Sequence, residues 1–243
     1  MGVGLTFTVL GCSGSYPGPG GAASGYLVRG GGVAVWLDAG SGTLANLQRH
    51  VALDAVDGVV LTHEHPDHMS DIEGYRVACA YVIDRTGVPV YAPSGVRARL
   101  SAEPEPAFDW RTVADGDAVE VGGLSLRFSR TDHPPETLAV RVDGEGRSMA
   151  YTADTGPAWS MAGAFGDGVD VALCEATYLA DREGTAGHLS GRQAGALARA
   201  AGARRLVLTH LWPVIDPQAV RAEAEGAYGG PVDLARMHET YEV

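Results

Sequence analysis

The feature that most constrains this chain is the segment His-Glu-His-Pro-Asp-His at residues 63–68, directly after an apolar run at residues 59–61. Imidazole and carboxylate are the ligands that zinc and similar ions prefer, and the absence of a nearby cysteine disfavours a closed structural site. A strand ending at Leu61 would deliver the segment to a sheet edge, with His63 and His65 facing one position and Asp67 and His68 a second. The alternative is a histidine-rich surface loop, although such tracts usually bind metal themselves.

Length and composition bound the architecture. The chain has 243 residues, of which 45% are hydrophobic, so it can bury one sizeable core, and we expect a single domain over residues 1–243. Because no apolar run approaches the ~20 residues of a bilayer span and the N-terminus lacks a secretory pattern, we expect a cytoplasmic protein with no membrane partner. Three widely spaced cysteines are predicted to be unpaired thiols and not nucleophiles: Cys12, Cys79 and Cys174.

The net charge of the chain bears on which kind of partner it can bind. Asp and Glu outnumber Lys and Arg by 30 to 18, which gives a net charge of -12. Long nucleic acids bind largely through neutralisation of their phosphates by basic surface, so this balance disfavours a polynucleotide. It is compatible with a small anion held by metal, and an acidic surface also simply favours solubility.

Strand-like and helix-like patterns alternate along the chain, which predicts α/β layering. Strands are predicted at residues 5–10, 24–28, 33–37, 56–61, 89–92, 119–121, 124–129, 138–142, 148–152, 169–173 and 206–208. Helices are predicted at residues 43–50, 70–83, 159–165, 191–201 and 217–225. Prolines predict an irregular connection over residues 103–110, and residues 231–243 are predicted as a terminal strand region.

Further histidines and a carboxylate fall at the ends of these elements. His133, Asp154 and His210 each follow a predicted strand, and His188 precedes a helix that begins with capping-box spacing. Any one of these histidines alone is more often a structural residue, but together with the segment at 63–68 they predict one metal centre. The remaining two histidines are interpreted as surface residues: His50 and His238.

Two other features flank the predicted centre. Asp38 closes a strand and could accept the second ring N–H of a ligating histidine, although an Asp in that place can also simply start a turn. Ser13, Gly14 and Ser15 form a glycine loop that could offer backbone N–H groups to a substrate phosphate. A plain structural turn is the alternative for this loop.

The spacing His-x-His-x-Asp-His resembles the signature of the metallo-β-lactamase superfamily. With the later histidines and Asp154, the whole chain is similar to the tRNase Z-like branch. The resemblance implies an α/β fold, an αββα sandwich of two mixed sheets flanked by helices, with two zinc ions, or manganese in their place. The implied ligands are His63, His65 and His133 for one ion, Asp67, His68 and His210 for the other, and Asp154 as the bridge.

The resemblance also implies the catalytic residues. His188 matches a histidine that acts on the leaving group without binding metal, and Glu175 matches the acidic residue that orients this histidine. Asp67 is also predicted to be a catalytic residue. The β-lactamases and glyoxalases of the superfamily lack the His188–Glu175 pairing, so the resemblance points to phosphodiester chemistry. The alternative for His188 is a residue that only caps or packs at the helix start.

This chain departs from the tRNA-processing members in two respects. Those enzymes insert a long tRNA-gripping arm where only residues 134–153 lie here, and they carry a basic loop where residues 17–22 hold no basic residue. The segments at 8–15, 23–27, 173–176 and 188–191 look closest to the actinobacterial atypical class II cyclic-nucleotide phosphodiesterases.

That resemblance implies hydrolysis of 3′,5′-cyclic nucleotides such as cyclic AMP and cyclic GMP to 5′ monophosphates. Three alternatives stay open: a tRNase Z-like ribonuclease, another small-ester metallohydrolase, and a metal-binding interaction protein with no turnover. A homodimer is expected by analogy with related members only.

Overall fold

The computed structural model describes residues 4–100, 107–185 and 187–243, and within them fourteen strands form two seven-stranded sheets. The strands are β1 Thr6–Gly11, β2 Gly25–Gly30, β3 Val33–Leu37, β4 Gly58–Val60, β5 Val88–Ala92, β6 Phe108–Thr112, β7 Ala118–Val121, β8 Leu124–Arg130, β9 Leu138–Gly144, β10 Arg147–Tyr151, β11 Val171–Glu175, β12 Arg205–Thr209, β13 Val232–Leu234 and β14 Thr240–Glu242. The helices are α1 Thr43–Leu47, α2 Pro66–Met69, α3 Ile72–Tyr81, α4 Ser94–Arg99, α5 Met161–Phe165, α6 Gly191–Ala200 and α7 Pro217–Tyr228.

Both sheets are mixed. The first has the order β14-β1-β2-β3-β4-β5-β6 and the second the order β13-β12-β11-β10-β9-β8-β7. In the first sheet β3 to β6 are parallel, and in the second β10 to β13 are parallel. Strands β1, β3 and β4 of one sheet and β8, β10, β11 and β12 of the other therefore end at shared edges, where strand-end side chains can converge.

Alternation along the strands sorts apolar side chains into three core layers. In β3, Val35 and Leu37 pack between the two sheets, whereas Ala34 and Trp36 pack against the helices outside. Helices α1, α3 and α4 cover the first sheet, and α5, α6 and α7 cover the second. The αββα sandwich predicted from the sequence is confirmed.

Most predicted elements are confirmed, with four main differences. No helix is predicted within the segment at 63–68, but helix α2 begins there at Pro66, a first position that proline favours. The helix predicted over 70–83 begins at Ile72 and ends at Tyr81. The irregular connection predicted over 103–110 is wrong at its end, since β6 starts at Phe108 and pairs with β5, whose edge it covers; residues 103–106 lie outside the described residues. Helix α4 was not predicted.

One smaller prediction is also confirmed. The capping box at the start of α6 is present in both directions between Ser190 and Gln193. In the described part of the chain, every helix is too short or too polar to cross a membrane.

Candidate metal centre

The first predicted ligand group converges at the strand ends. Ligand atoms of His63, His65, His133 and Asp154 all lie within 4.8 Å of one another. Nε2 of His63 lies 3.0 Å from Nδ1 of His65, and Nε2 of His133 lies 3.3 Å from the same Nδ1. Oδ2 of Asp154 lies 3.5 Å from Nε2 of His63. Three imidazoles and one carboxylate oxygen therefore surround a single position.

The second predicted group lies on the other side of Asp154. Asp67, His68 and His210 are all buried, and their ligand atoms also lie within 4.8 Å of one another. Oδ2 of Asp67 is 3.2 Å from Nε2 of His210 and 3.6 Å from Nε2 of His68. Oδ1 of Asp154 lies 3.2 Å from Nε2 of His68 and 3.3 Å from Nε2 of His210. Asp154 thus turns one oxygen to each group, as a bridging ligand would.

Unpartnered atoms test whether metal fits this arrangement. Among the described residues, four buried side-chain polar atoms have no hydrogen-bond partner, and two of them are Nε2 of His68 and Oδ1 of Asp154. Leaving such atoms unpartnered is costly, and a divalent ion would bind both. The nitrogen and oxygen donor set also suits such an ion. The residues present therefore fit a divalent metal centre.

Asp38, the residue after β3, lies behind the histidines of both groups. Its Oδ2 accepts hydrogen bonds from Nδ1 of His68 at 2.8 Å and from the Tyr151 hydroxyl at 3.0 Å. It also accepts from the Thr62 hydroxyl at 2.9 Å, and that hydroxyl lies 3.1 Å from Nδ1 of His63. Asp38 with Thr62, which we name the first relay, thus fixes two rings with their Nε2 atoms towards the centre.

Glu175, which ends β11, is the corresponding carboxylate of the second sheet. Its Oε1 accepts from Nδ1 of His188 at 2.9 Å, and its Oε2 accepts from the Thr177 hydroxyl at 2.8 Å. That hydroxyl lies 2.7 Å from Nδ1 of His210. Glu175 with Thr177 is the second relay. A ring nitrogen of His188 lies within 4.8 Å of ligand atoms of Asp154 and His210, so His188 borders the centre.

The electrostatics of the site follow from burial and close charges. Burial lowers the pKa of His63 well below its usual value, and the imidazole of His68 lowers it further, so His63 stays in the neutral, metal-binding form. Burial opposes ionisation of Asp154, but the imidazoles of His210 and His68 outweigh it and hold its pKa well below the usual range. Burial likewise opposes the charge on His188, but Glu175 outweighs it and raises the pKa of His188 to about 9.

The glycine loop packs directly against His210. A Cβ atom at Gly14 would lie 2.4 Å from the His210 carbonyl oxygen and 2.8 Å from Nδ1 of its ring, so only glycine allows this approach. Ser13 pairs with Leu211 in a β-bridge. The N–H of Ser15 points at Nε2 of His210 from 3.4 Å. The loop therefore has a structural role, and one of its N–H groups also reaches the centre.

Sequence reasoning missed Thr62, Thr177 and Tyr151. Thr177 could have been found from the sequence. It lies two residues after Glu175, and side chains two residues apart in an extended chain lie on the same face. Thr62 is adjacent to His63, but nothing in the sequence indicates which way its hydroxyl points. The hydrogen bond between Tyr151 and Asp38 joins residues that are 113 positions apart in the sequence, so no local pattern indicates it.

The two histidines interpreted as surface residues pair with each other and belong to none of the possible metal-binding groups among the described residues. His50 and His238 are half-buried, and their ring nitrogens lie 3.0 Å apart. The three cysteines are unpaired, and burial raises the pKa of each thiol, that of Cys12 to about 11. Protonated buried thiols are poor nucleophiles, in agreement with the sequence prediction.

Comparison with known proteins shows what this chain is similar to. The family model described as beta-lactamase superfamily domain matches residues 33–211, a span that includes every predicted metal ligand. An uncharacterized protein of Mycobacterium tuberculosis is 38% identical over 99% of this chain and 93% of its own length.

Two further relatives carry functional names. The probable metallo-hydrolase YhfI of Bacillus subtilis is 31% identical over 98% of this chain and 100% of its own. Its crystal structure superposes with a TM-score of 0.89 and 28% identity over 98% of this chain and 99% of that chain. Ribonuclease Z of Mycobacterium avium is 31% identical over 95% of each chain.

Proposed function

The chain belongs to the beta-lactamase superfamily and to its metallo-hydrolases, and from this premise we propose that it is a phosphodiesterase that hydrolyses 3′,5′-cyclic nucleotides to 5′ monophosphates. The observation that carries the proposal is His188, held by Glu175 at the border of the centre. Two zinc ions, or manganese, on the seven predicted ligands would activate a water molecule and neutralise charge on the phosphate oxygens.

His188 is suited to protonate the leaving oxygen. Its Nδ1 is engaged by Glu175, which leaves Nε2 to face the substrate. In the reaction one water adds across the P–O3′ bond: the water oxygen bonds to phosphorus, the bond to the 3′ oxygen breaks, and His188 gives its proton to that oxygen. A proton from the water then returns His188 to its starting state. Oδ2 of Asp67 would accept a hydrogen bond from the water, and the Ser15 N–H, which lies 3.4 Å from Nε2 of His210, would donate to a phosphate oxygen.

Two features favour a small substrate over a long nucleic acid. Between residues 134 and 153 the chain forms a single hairpin, of β9 and β10, so the arm that grips tRNA in related enzymes has no counterpart there. The net charge of -12 also provides little of the phosphate neutralisation on which RNA binding depends.

The second candidate is tRNA 3′ processing by a ribonuclease Z-like activity. It is favoured by the 31% identity to Ribonuclease Z of Mycobacterium avium over 95% of both chains. Under that function the enzyme would have to hold its RNA without the arm and without a basic loop at residues 17–22.

A substrate panel tests the proposal. Purified protein is assayed with cyclic AMP, cyclic GMP, their 2′,3′ isomers, a precursor tRNA and a thioester, each with and without chelator. We expect turnover of the 3′,5′-cyclic nucleotides that stops with chelator, and about two metal ions per chain by elemental analysis. Accurate cleavage at a tRNA 3′ end with no turnover of cyclic nucleotides would replace this function with the second candidate.

A further inference from the structure

A cavity of about 330 Å³ lies on the His210 side of the metal centre. Its walls come from residues 12–13, 211–213, 215, 217–218 and 234–236, which lie at or just after the ends of β1, β12 and β13. The cavity therefore opens near the same sheet edges as the predicted ligands. Its volume is within the range of small-molecule sites, which begins at about 300 Å³.

Short contacts connect this cavity with the centre. The Ser15 N–H lies 3.4 Å from Nε2 of His210, and the Ser15 hydroxyl accepts a hydrogen bond from Nε1 of Trp212 at 2.9 Å. Trp212 is itself a wall of the cavity, as is Leu211, the residue that follows His210. A ligand whose phosphate lies at the metal centre would therefore pass His210 and extend directly into the cavity.

The walls and the rim of the cavity differ in chemistry. Leu211, Trp212 and Ile215 provide apolar surface, whereas the side chains of Gln218 and Arg236 stand at the rim. Within the described residues, neither the Gln218 amide nor the Arg236 guanidinium has a hydrogen-bond or ion-pair partner, and both side chains are exposed. Apolar faces with free donors at the edge suit a planar base. Arginine pairs with O6 and N7 of guanine, and glutamine pairs with N6 and N7 of adenine.

We propose that this cavity binds the purine base of the nucleotide whose phosphodiester lies at the metal centre, with Arg236 and Gln218 at the base edge. The proposal rests on the proposed function and adds a base preference to it. The base stacks on the apolar wall beside Trp212. The two rim side chains are specificity residues that contact the base and take no part in bond cleavage.

A second cavity, of about 450 Å³, lies beside the end of β8, the strand that precedes His133. It serves as a comparison for the cavity beside His210. Most of its polar groups are already paired. Nε1 of Trp159 donates to the Ser129 hydroxyl at 3.2 Å, and Oδ1 of Asp115 accepts from the backbone N–H of Arg130 at 2.8 Å. The Arg130 side chain is the corresponding exposed guanidinium. Arg130→Met is therefore a matched control for Arg236→Met.

The kinetic experiment uses metal-loaded enzyme with cyclic GMP, cyclic AMP and bis(p-nitrophenyl) phosphate, which carries no base. Arg236→Met should raise KM for cyclic GMP about tenfold, and Gln218→Leu should do the same for cyclic AMP, the loss expected for one hydrogen bond involving a charged or well-aligned polar group. We expect unchanged kcat in both variants and unchanged kinetics with the nitrophenyl diester. Arg130→Met should leave all three substrates unaffected.

A binding measurement separates this proposal from the function on which it rests. Calorimetric titration of the metal-loaded enzyme with GMP, AMP and ribose 5-phosphate should show about tenfold weaker binding of the matching purine nucleotide in each variant, with ribose 5-phosphate unchanged. Hydrolysis of cyclic nucleotides with KM unaltered in the Arg236 and Gln218 variants would overturn the base pocket alone, as would a KM increase confined to Arg130→Met. Weaker GMP and AMP binding without any turnover of cyclic nucleotides would overturn the function and support the pocket.

Discussion

The two relays are built alike but hold different partners. Each uses a fully buried carboxylate and a threonine hydroxyl, one from each sheet. The first relay holds His63 and His68, which both belong to the predicted ligand set. The second holds one predicted ligand, His210, together with His188, which is not a predicted ligand although it forms a third possible metal-binding group with Asp154 and His210. We therefore expect the first relay to govern metal retention and the second to govern both metal retention and proton transfer.

The donors to the two carboxylates also differ. Asp38 accepts from the phenol of Tyr151 and from Thr62, including its backbone N–H at 2.8 Å. Glu175 accepts from the backbone N–H of Thr155 at 2.8 Å and from that of Leu189 at 3.2 Å. A substitution can delete a phenol but not a backbone amide, so the Tyr151 donor to Asp38 can be tested by itself, whereas the two backbone donors to Glu175 cannot.

The largest effect should come from removing a relay carboxylate. Asp38→Ala leaves the buried groups of Thr62, His68 and Tyr151 without an acceptor, and we expect it to cost about 3–5 kcal/mol of unfolding free energy. It should also empty both metal positions. Glu175→Ala should lose the ion on the His210 side first. Elemental analysis measures the metal content and urea unfolding measures the stability. An Asp38→Ala protein that keeps two ions would contradict the role of the first relay in metal retention.

The next effect concerns His188, which belongs to the second relay alone. If it protonates the leaving group, His188→Ala should keep both ions and lose about 10²–10⁴-fold in rate on a cyclic nucleotide, whose alkoxide leaves poorly. With a nitrophenolate leaving group, which needs little protonation, the loss should be much smaller. Equal, modest losses on both substrates would mean that His188 only packs at the start of α6, and loss of metal would mean that it is a ligand.

The threonines test whether the relays act on separate metal positions. Thr62→Val removes the hydroxyl that holds His63, and Thr177→Val removes the one that holds His210. Each should weaken one metal position by about 10–100-fold. Chelator titration, followed by the number of ions per chain, should show one weak position in each variant, and the serine variants, which keep the hydroxyl, should resemble the unaltered protein. A valine variant that weakens both positions equally would show that the relays are not separate.

The predicted ligands could be found from the sequence because strand ends mark them. The segment at 63–68 is local, and His133, Asp154 and His210 each follow a recognisable strand, so the shared sheet edge brings them together. The orienting position of Asp38 could be anticipated for the same reason.

The relays and the cavity beside His210 could not be predicted in the same way. Tyr151 meets Asp38 only because β10 and β3 lie in different sheets that pack face to face, and periodicity within one strand carries no information on that register. The cavity is lined by three segments of the chain. The first and second are about 200 residues apart in the sequence, the second and third about 20, and they share no motif. Helix α2 was missed because a four-residue helix is too short to show a helical period.

The smallest predicted effect isolates a single donor of the first relay. Tyr151→Phe removes one of the hydrogen bonds to Asp38 and leaves the ring in place, so we expect a loss of about 1.5 kcal/mol in unfolding free energy. Because Asp38 still holds His68, metal affinity should fall by less than tenfold. Tyr75→Phe is the matched control: Tyr75 is equally buried, but its hydroxyl donates to the Leu53 carbonyl at 2.9 Å and not to the relay. That control should lose comparable stability with metal affinity unchanged. If the two variants lose metal equally, the phenol of Tyr151 acts on the centre only through packing, and the first relay ends at Asp38.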